Sequence, residues 1–119
     1  MQGFDSDILD SLRQMSPDRF HKLLQAFLDG SDEYLENMKS SINPVNMELI
    51  NISAHSLKSS SAALGFIALS ENCQILEDIS FNEDKMDEVS KYISIISEIY
   101  VDVRAFLVSE LSKGYSVSN

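Results

Sequence analysis

The chain has 119 residues, 44% of them hydrophobic, and a formal net charge of −10 from 19 acidic and 9 basic side chains. That length fits one domain around one core, and the apolar fraction predicts a chain that folds rather than one that stays disordered. The acidic surface repels phosphate backbones and anionic membranes, which argues against nucleic-acid binding and lipid attachment, and 4 glycines with 2 prolines are too few for a loop-rich all-β protein.

The chain opens on "MQGFDSDILD", which lacks the basic and apolar regions of a signal peptide. Phe4, Ile8, Leu12 and Met15 recur at helical spacing and predict a short first helix. Ser16-Pro17 supplies an N-cap followed by proline at the first helical position. A long second helix then carries Phe20, Leu23, Leu24, Phe27, Leu28, Leu35, Met38 and Ile42, with Gly30 as a point where it could kink. His21 is expected on its exposed side.

Asn43-Pro44 repeats the cap-and-proline signal and is expected to start the third helix. Its stripe is the sharpest in the chain, with Met47, Ile50, Ala54, Leu57, Ser61 and Leu64 stepping by three and four up to a stop at Gly65. A fourth helix carries Leu69, Cys73, Leu76 and Ile79 and is expected to end near Asn82. Cys73 is the only cysteine, so it forms no internal disulfide; it fits a small core residue in a reducing compartment, and the expected localisation is cytoplasmic. The fifth helix runs from about Met86 through Val89, Ile93, Ile96, Tyr100, Val103, Leu107 and Leu111 to Gly114, and the tail "YSVSN" is expected to fray. No apolar run reaches the roughly 20 residues that span a bilayer.

Four long helices with short connections predict an all-α fold, an antiparallel up-down-up-down four-helix bundle with the short extra N-terminal helix across one end. One domain over residues 1–119 is expected, fraying from about Gly114.

The third helix contains "AHSLKSSSAALG". At about 100° per residue, His55 lies roughly 130° from the centre of the apolar stripe and points outward. Glu48, Ile52, Ser59 and Ala62 share its face, and Lys58 sits one turn along, nearer the core boundary. A surface His beside a Lys is commonly only a surface pair. Here an apolar shoulder at Ile52, small neighbours and a nearby cation suit a nucleophile that receives an anionic group from a partner. The motifs of other chemistries are absent: Asp18-x-x-His21 occurs once and cannot build a di-iron site, and there is no glycine-rich phosphate loop, GxSxG elbow or Cys/His zinc spacing.

"AHSLKSSSAALG" followed by "ALSENCQILE" resembles the histidine-containing phosphotransfer (HPt) domains of two-component phosphorelays. The matching positions are His55, Lys58, Ser59, Gly65, Leu69, Cys73, Leu76 and Glu77, with Ser59 where many members carry glycine. The resemblance implies a phosphohistidine shuttle: His55 Nε2 accepts a phosphoryl group from a receiver-domain aspartate and passes it to another. It gives Lys58 an electrostatic role and Ser59 clearance with a hydrogen bond to a phosphoryl oxygen, while Glu48, Ile52 and Ala62 form docking surface. It implies a monomer with no cofactor and no bound metal of its own, with Mg²⁺ supplied by the receiver, and without ATP-dependent kinase activity. Response-regulator receivers are the implied partners, and a hybrid histidine kinase is a further candidate. No catalytic partner for His55 is apparent in the sequence. The alternative is a non-catalytic bundle, a degenerate relative that binds a partner through the same face.

Overall fold

The computed structural model describes residues 3–113. The expected frayed tail from Gly114 lies outside them. Five α-helices follow in order, α1 (Ser6–Met15), α2 (Pro17–Ser40), α3 (Met47–Ala63), α4 (Ile67–Ile79) and α5 (Met86–Ser112), with a 3₁₀ turn at Glu83–Lys85 before α5. The class is all-α. No helix among the described residues is long and apolar enough to cross a membrane.

Local chemistry sets most of the helix boundaries. Asp5 caps α1, accepting from the Asp7 amide at 3.1 Å. Ser16 caps α2 through the Arg19 amide, with Pro17 at the first turn where no amide is needed. The helix runs unbroken through Gly30. The third helix differs from expectation, because its cap is Asn46, whose Oδ1 accepts from the Leu49 amide at 3.0 Å, and not Asn43. Asn43-Pro44 is a cis bond inside a tight turn in which Ile42 and Val45 pair as an isolated bridge, so Ile42 falls outside α2. Likewise α4 stops at Ile79, short of Asn82.

The core collects the predicted stripes: Phe20, Leu24, Leu35 and Met38 from α2, Ile50, Ala54, Leu57 and Ser61 from α3, Leu69, Cys73 and Leu76 from α4, and Val89 to Leu107 from α5. Met15 and Leu23 depart from it, at 80% and 42% exposed. Met15 ends its helix beyond the packed turns, and Leu23 lines an open groove beside Leu12 and Ala26. His21 is half-buried rather than exposed.

Phe4 also departs from expectation, since it precedes the α1 cap and pairs with Phe66 as an antiparallel bridge. Its ring stacks on Phe66 and meets Phe106, both at 5.2 Å between centroids. The N-terminal segment is thereby sewn onto the α3–α4 turn, where Asp5 N–H donates to the Gly65 carbonyl at 2.8 Å and Ala68 N–H to that of Gly3 at 2.9 Å. Arg13 extends the attachment to α5 by reaching the buried Glu110 at 3.4 Å.

A second polar tie joins α2 to α5. The largely buried Tyr100 hydroxyl donates to Asp32 at 2.6 Å, and Arg104 grips the same carboxylate through Nε at 3.1 Å and Nη2 at 3.2 Å. Desolvation pushes the Asp32 pKa up, but the hydrogen bonds from Arg104 and Tyr100 and the Arg104 charge outweigh it, and the carboxyl sits below its usual range.

Gly65 has φ +86°, and an added Cβ would lie 2.5 Å from the Asp5 carbonyl oxygen. Gly65→Ala should therefore lower the unfolding free energy by at least about 1–2 kcal/mol, the usual cost of left-handed backbone for an L-residue, as measured by urea denaturation. Because the folded Asp32 pKa is depressed, its contribution is present above the usual carboxylate pKa and is lost as pH falls through the lowered value. The stability difference between wild type and Asp32→Asn should shrink on acidification through that window.

Candidate phosphoryl-acceptor site

Burial of Ile50, Ala54, Leu57 and Ser61 fixes the rotation of α3 about its axis. The consequence one residue on is that the His55 side chain is 58% exposed. Glu48, Ile52, Ser59 and Ala62 are exposed on the same face, Ile52 at 52%. Lys58 lies lower on the flank, its side chain 23% exposed.

Helix α4 runs antiparallel beside α3, as three contacts show: Asn51 with Ser80, His55 with Glu77, and the Lys58 carbonyl with the Ser70 hydroxyl. This register delivers Glu77 to the histidine. Glu77 Oε2 is 2.9 Å from His55 Nδ1, and Glu77 Oε1 accepts from Lys58 Nζ at 2.7 Å. One carboxylate thus spans both side chains. The Lys58 hydrogen bond, followed by that of His55 and the charges of both, outweighs desolvation and holds the Glu77 carboxyl below its usual range. At neutral pH Glu77 is ionised and can only accept, so His55 Nδ1 must carry the proton it shares with that oxygen. In the neutral ring Nε2 is then the unprotonated nitrogen. It occupies the opposite edge of an exposed ring, and among the described residues no hydrogen bond engages it.

The structure therefore brings together His55, Lys58 and Glu77 and sets Ser59 one turn beyond the ring on the same face. It adds a hydrogen-bond partner for His55 that no spacing in the sequence points to, Glu77. It also shows the Lys58 ammonium resting on that carboxylate. In the sequence Glu77 is legible only as one position of the motif; its separation from His55 by 22 residues becomes proximity only through the α3–α4 register. Asn51, which donates to the Glu77 carbonyl at 3.1 Å, carries no sequence signal. Cys73 lies fully buried beneath this cluster, and burial, reinforced by the Glu77 charge, pushes its thiol up to about 12. It is a protonated packing group and no rival nucleophile.

A family model described as the Hpt domain matches residues 22–105, which include every residue of this site. The chain is similar to multistep phosphorelay regulator 1 of Schizosaccharomyces pombe (strain 972 / ATCC 24843), with 21% identity over 131 residues covering 97% of this chain and 44% of that protein. The chain thus spans less than half the length of that relative. In fold it resembles the crystal structure of histidine-containing phosphotransfer protein B (HptB) from Pseudomonas aeruginosa PAO1, with a TM-score of 0.86 and 22% identity, over 95% of this chain and 97% of that one. An exposed histidine on an all-α scaffold, a match over most of the chain and this likeness of fold agree: the chain belongs to the Hpt family, the phosphotransfer intermediates of two-component phosphorelays.

Proposed function

We propose that His55 Nε2 is the phosphoryl acceptor, taking the group from the aspartyl phosphate of one receiver domain and giving it to the aspartate of another. The observation that carries this reading is the 2.9 Å contact from His55 Nδ1 to Glu77, which leaves the Nε2 lone pair facing solvent. Nε2 forms the new N–P bond while the P–O bond to the receiver's aspartate breaks, and the bonding pair leaves with that carboxylate. No proton must move, because the Nδ1 proton is already in place. Positive charge develops on the ring as Nε2 bonds, and the Glu77 carboxylate lies where it stabilises that charge. Transfer to the second aspartate is the same step reversed.

Lys58 has three ammonium hydrogens, of which Glu77 takes one, so it can remain on the carboxylate and turn another toward a phosphoryl oxygen. Ser59 supplies clearance above the ring and a hydroxyl within the same turn. Phosphoryl transfer is largely a matter of positioning and charge neutralisation, so the receiver's Mg²⁺ and its own pocket complete the site. Docking engages Glu48, Ile52 and Ala62. An apolar groove of about 370 Å³, whose lining includes Leu12, Leu23, Ala26, Phe27 and Ala63, adjoins this face and suits apolar side chains of the same receiver. The chain acts as a monomer in the cytoplasm, where its thiol stays reduced, and has no cofactor of its own.

Incubation with a phosphorylated receiver and Mg²⁺ tests the assignment: wild type should acquire acid-labile phosphate and His55→Gln should acquire none, while labelling that persists in His55→Gln would rule out His55 as the acceptor. Ser59→Arg should slow transfer by about tenfold or more, since small misplacements at a transfer site cost that much. Because the residue is exposed, its unfolding free energy should stay within about 0.5 kcal/mol of wild type.

A further inference from the structure

Glu77 lies in the last turn of α4, where backbone carbonyls have no intrahelical amide to accept from. Its carbonyl is nevertheless satisfied twice, by the Asn51 side-chain amide at 3.1 Å and by the Ser80 hydroxyl at 2.9 Å. The Asn51 amide also donates to Ser80 Oγ at 2.9 Å, and Ser80 is fully buried. Three groups therefore close a small network around one carbonyl, and that carbonyl belongs to the residue whose carboxylate orients His55. Asn51 sits on α3 one turn before His55, half-buried and on the α4 side. The same two helix turns thus hold Glu77 at both ends, Asn51 at its main chain and His55 with Lys58 at its side chain.

We infer that Asn51 is a positioning residue for phosphoryl acceptance: by anchoring the Glu77 carbonyl it sets where the Glu77 carboxylate lies, and so keeps His55 in the Nδ1–H form with Nε2 free. This rests on the assignment of His55 as acceptor. Asn51 touches neither the ring nor the phosphoryl group, so its effect travels through Glu77. The carboxylate must meet Nδ1 at hydrogen-bond distance to select the tautomer, and a shift of the α4 terminus by a fraction of an ångström weakens that selection.

Asn51→Leu keeps the approximate volume and removes the donor, and Asn51→Ala removes both. Two measurements on the intact chain decide the matter. The first is the tautomer of His55, read by ¹⁵N NMR of the imidazole without any phosphodonor. The second is the rate of His55 phosphorylation by potassium phosphoramidate, a donor that reacts with imidazole directly, so that receiver docking does not enter. Both Asn51 variants should shift the population away from Nδ1–H, in the direction of Glu77→Ala. They should slow phosphorylation about tenfold, the lower end of what loss of an outer-shell partner costs. In a Glu77→Ala background, Asn51→Leu should slow it no further, because the residue it acts through is gone. An unchanged tautomer in Asn51→Leu, or the same fold-loss with and without Glu77, would overturn the inference. The tautomer measurement needs no transfer, so its failure is distinct from failure of a receiver to label His55.

Discussion

The rotation of α3 about its own axis is the constraint on which the site depends, and it is set by burial. Ile50, Ala54 and Leu57 are fully buried, and Ser61 with them. Full burial of one Ile or Leu side chain contributes about 1.5–3 kcal/mol, whereas a typical hydrogen bond contributes about 0.5–1.5 kcal/mol net and an exposed ion pair at most about 1 kcal/mol. The apolar stripe therefore wins any contest over which face of α3 turns inward. With that face fixed, the 100° step of the helix leaves His55 outside without assistance from its polar neighbours. The contacts to Glu77 have a smaller and different effect. They choose the tautomer and aim the ring, on a helix already oriented by its core.

The second determinant is the close fit between α3 and α4. Ser53, Ala54 and Ser61 on one helix and Cys73 on the other are small and buried, which favours close approach of the two axes. The close approach lets the glutamate side chain reach a histidine and a lysine on the neighbouring helix at 2.9 and 2.7 Å. The turn at Leu64–Phe66 sets the register along the axes. Gly65 takes the left-handed backbone there and presents its carbonyl to Asp5, while Phe66 receives Phe4 and Phe27 on its ring. The N-terminal segment thus braces the turn that fixes which α4 residue faces His55.

This division explains which features are legible in the sequence. The outward direction of His55, the buried stripe of α3 from Ile50 onward, the Ser16-Pro17 start of α2 and the Gly65 stop are properties of local spacing and local backbone chemistry, and the structure agrees with each, while Met47 at the head of that stripe is only partly buried. The Glu77 contact is a property of register between two helices, and periodicity within either one carries no such information. Phe4 has helical spacing with Ile8 but is captured by Phe66 and Phe106, a tertiary contact that overrides the local pattern. Leu23 fits the α2 stripe as well as Leu24 does, yet spacing cannot say whether a neighbouring helix covers the position. The Asn43-Pro44 pair imitates a cap, and only the geometry of the turn shows that Asn46 is the residue whose side chain meets an amide.

The pairing of Glu77 with both side chains also bears on the proposed chemistry. A carboxylate at Nδ1 accepts a hydrogen bond from the proton carried there and lies where it would stabilise positive charge on the ring during attack. Lys58 holds the other oxygen of the same carboxylate. Its hydrogen bond is the leading cause that keeps the Glu77 carboxyl below its usual range, ahead of the His55 contact. On the reading of His55 as the acceptor, the ring would turn cationic next to Glu77 as the phosphoryl group arrives, and Lys58 would gain a second anion within reach of the same turn. Three groups already in contact would then hold both arrangements of charge with little movement, which suits a carrier that accepts a group and releases it again.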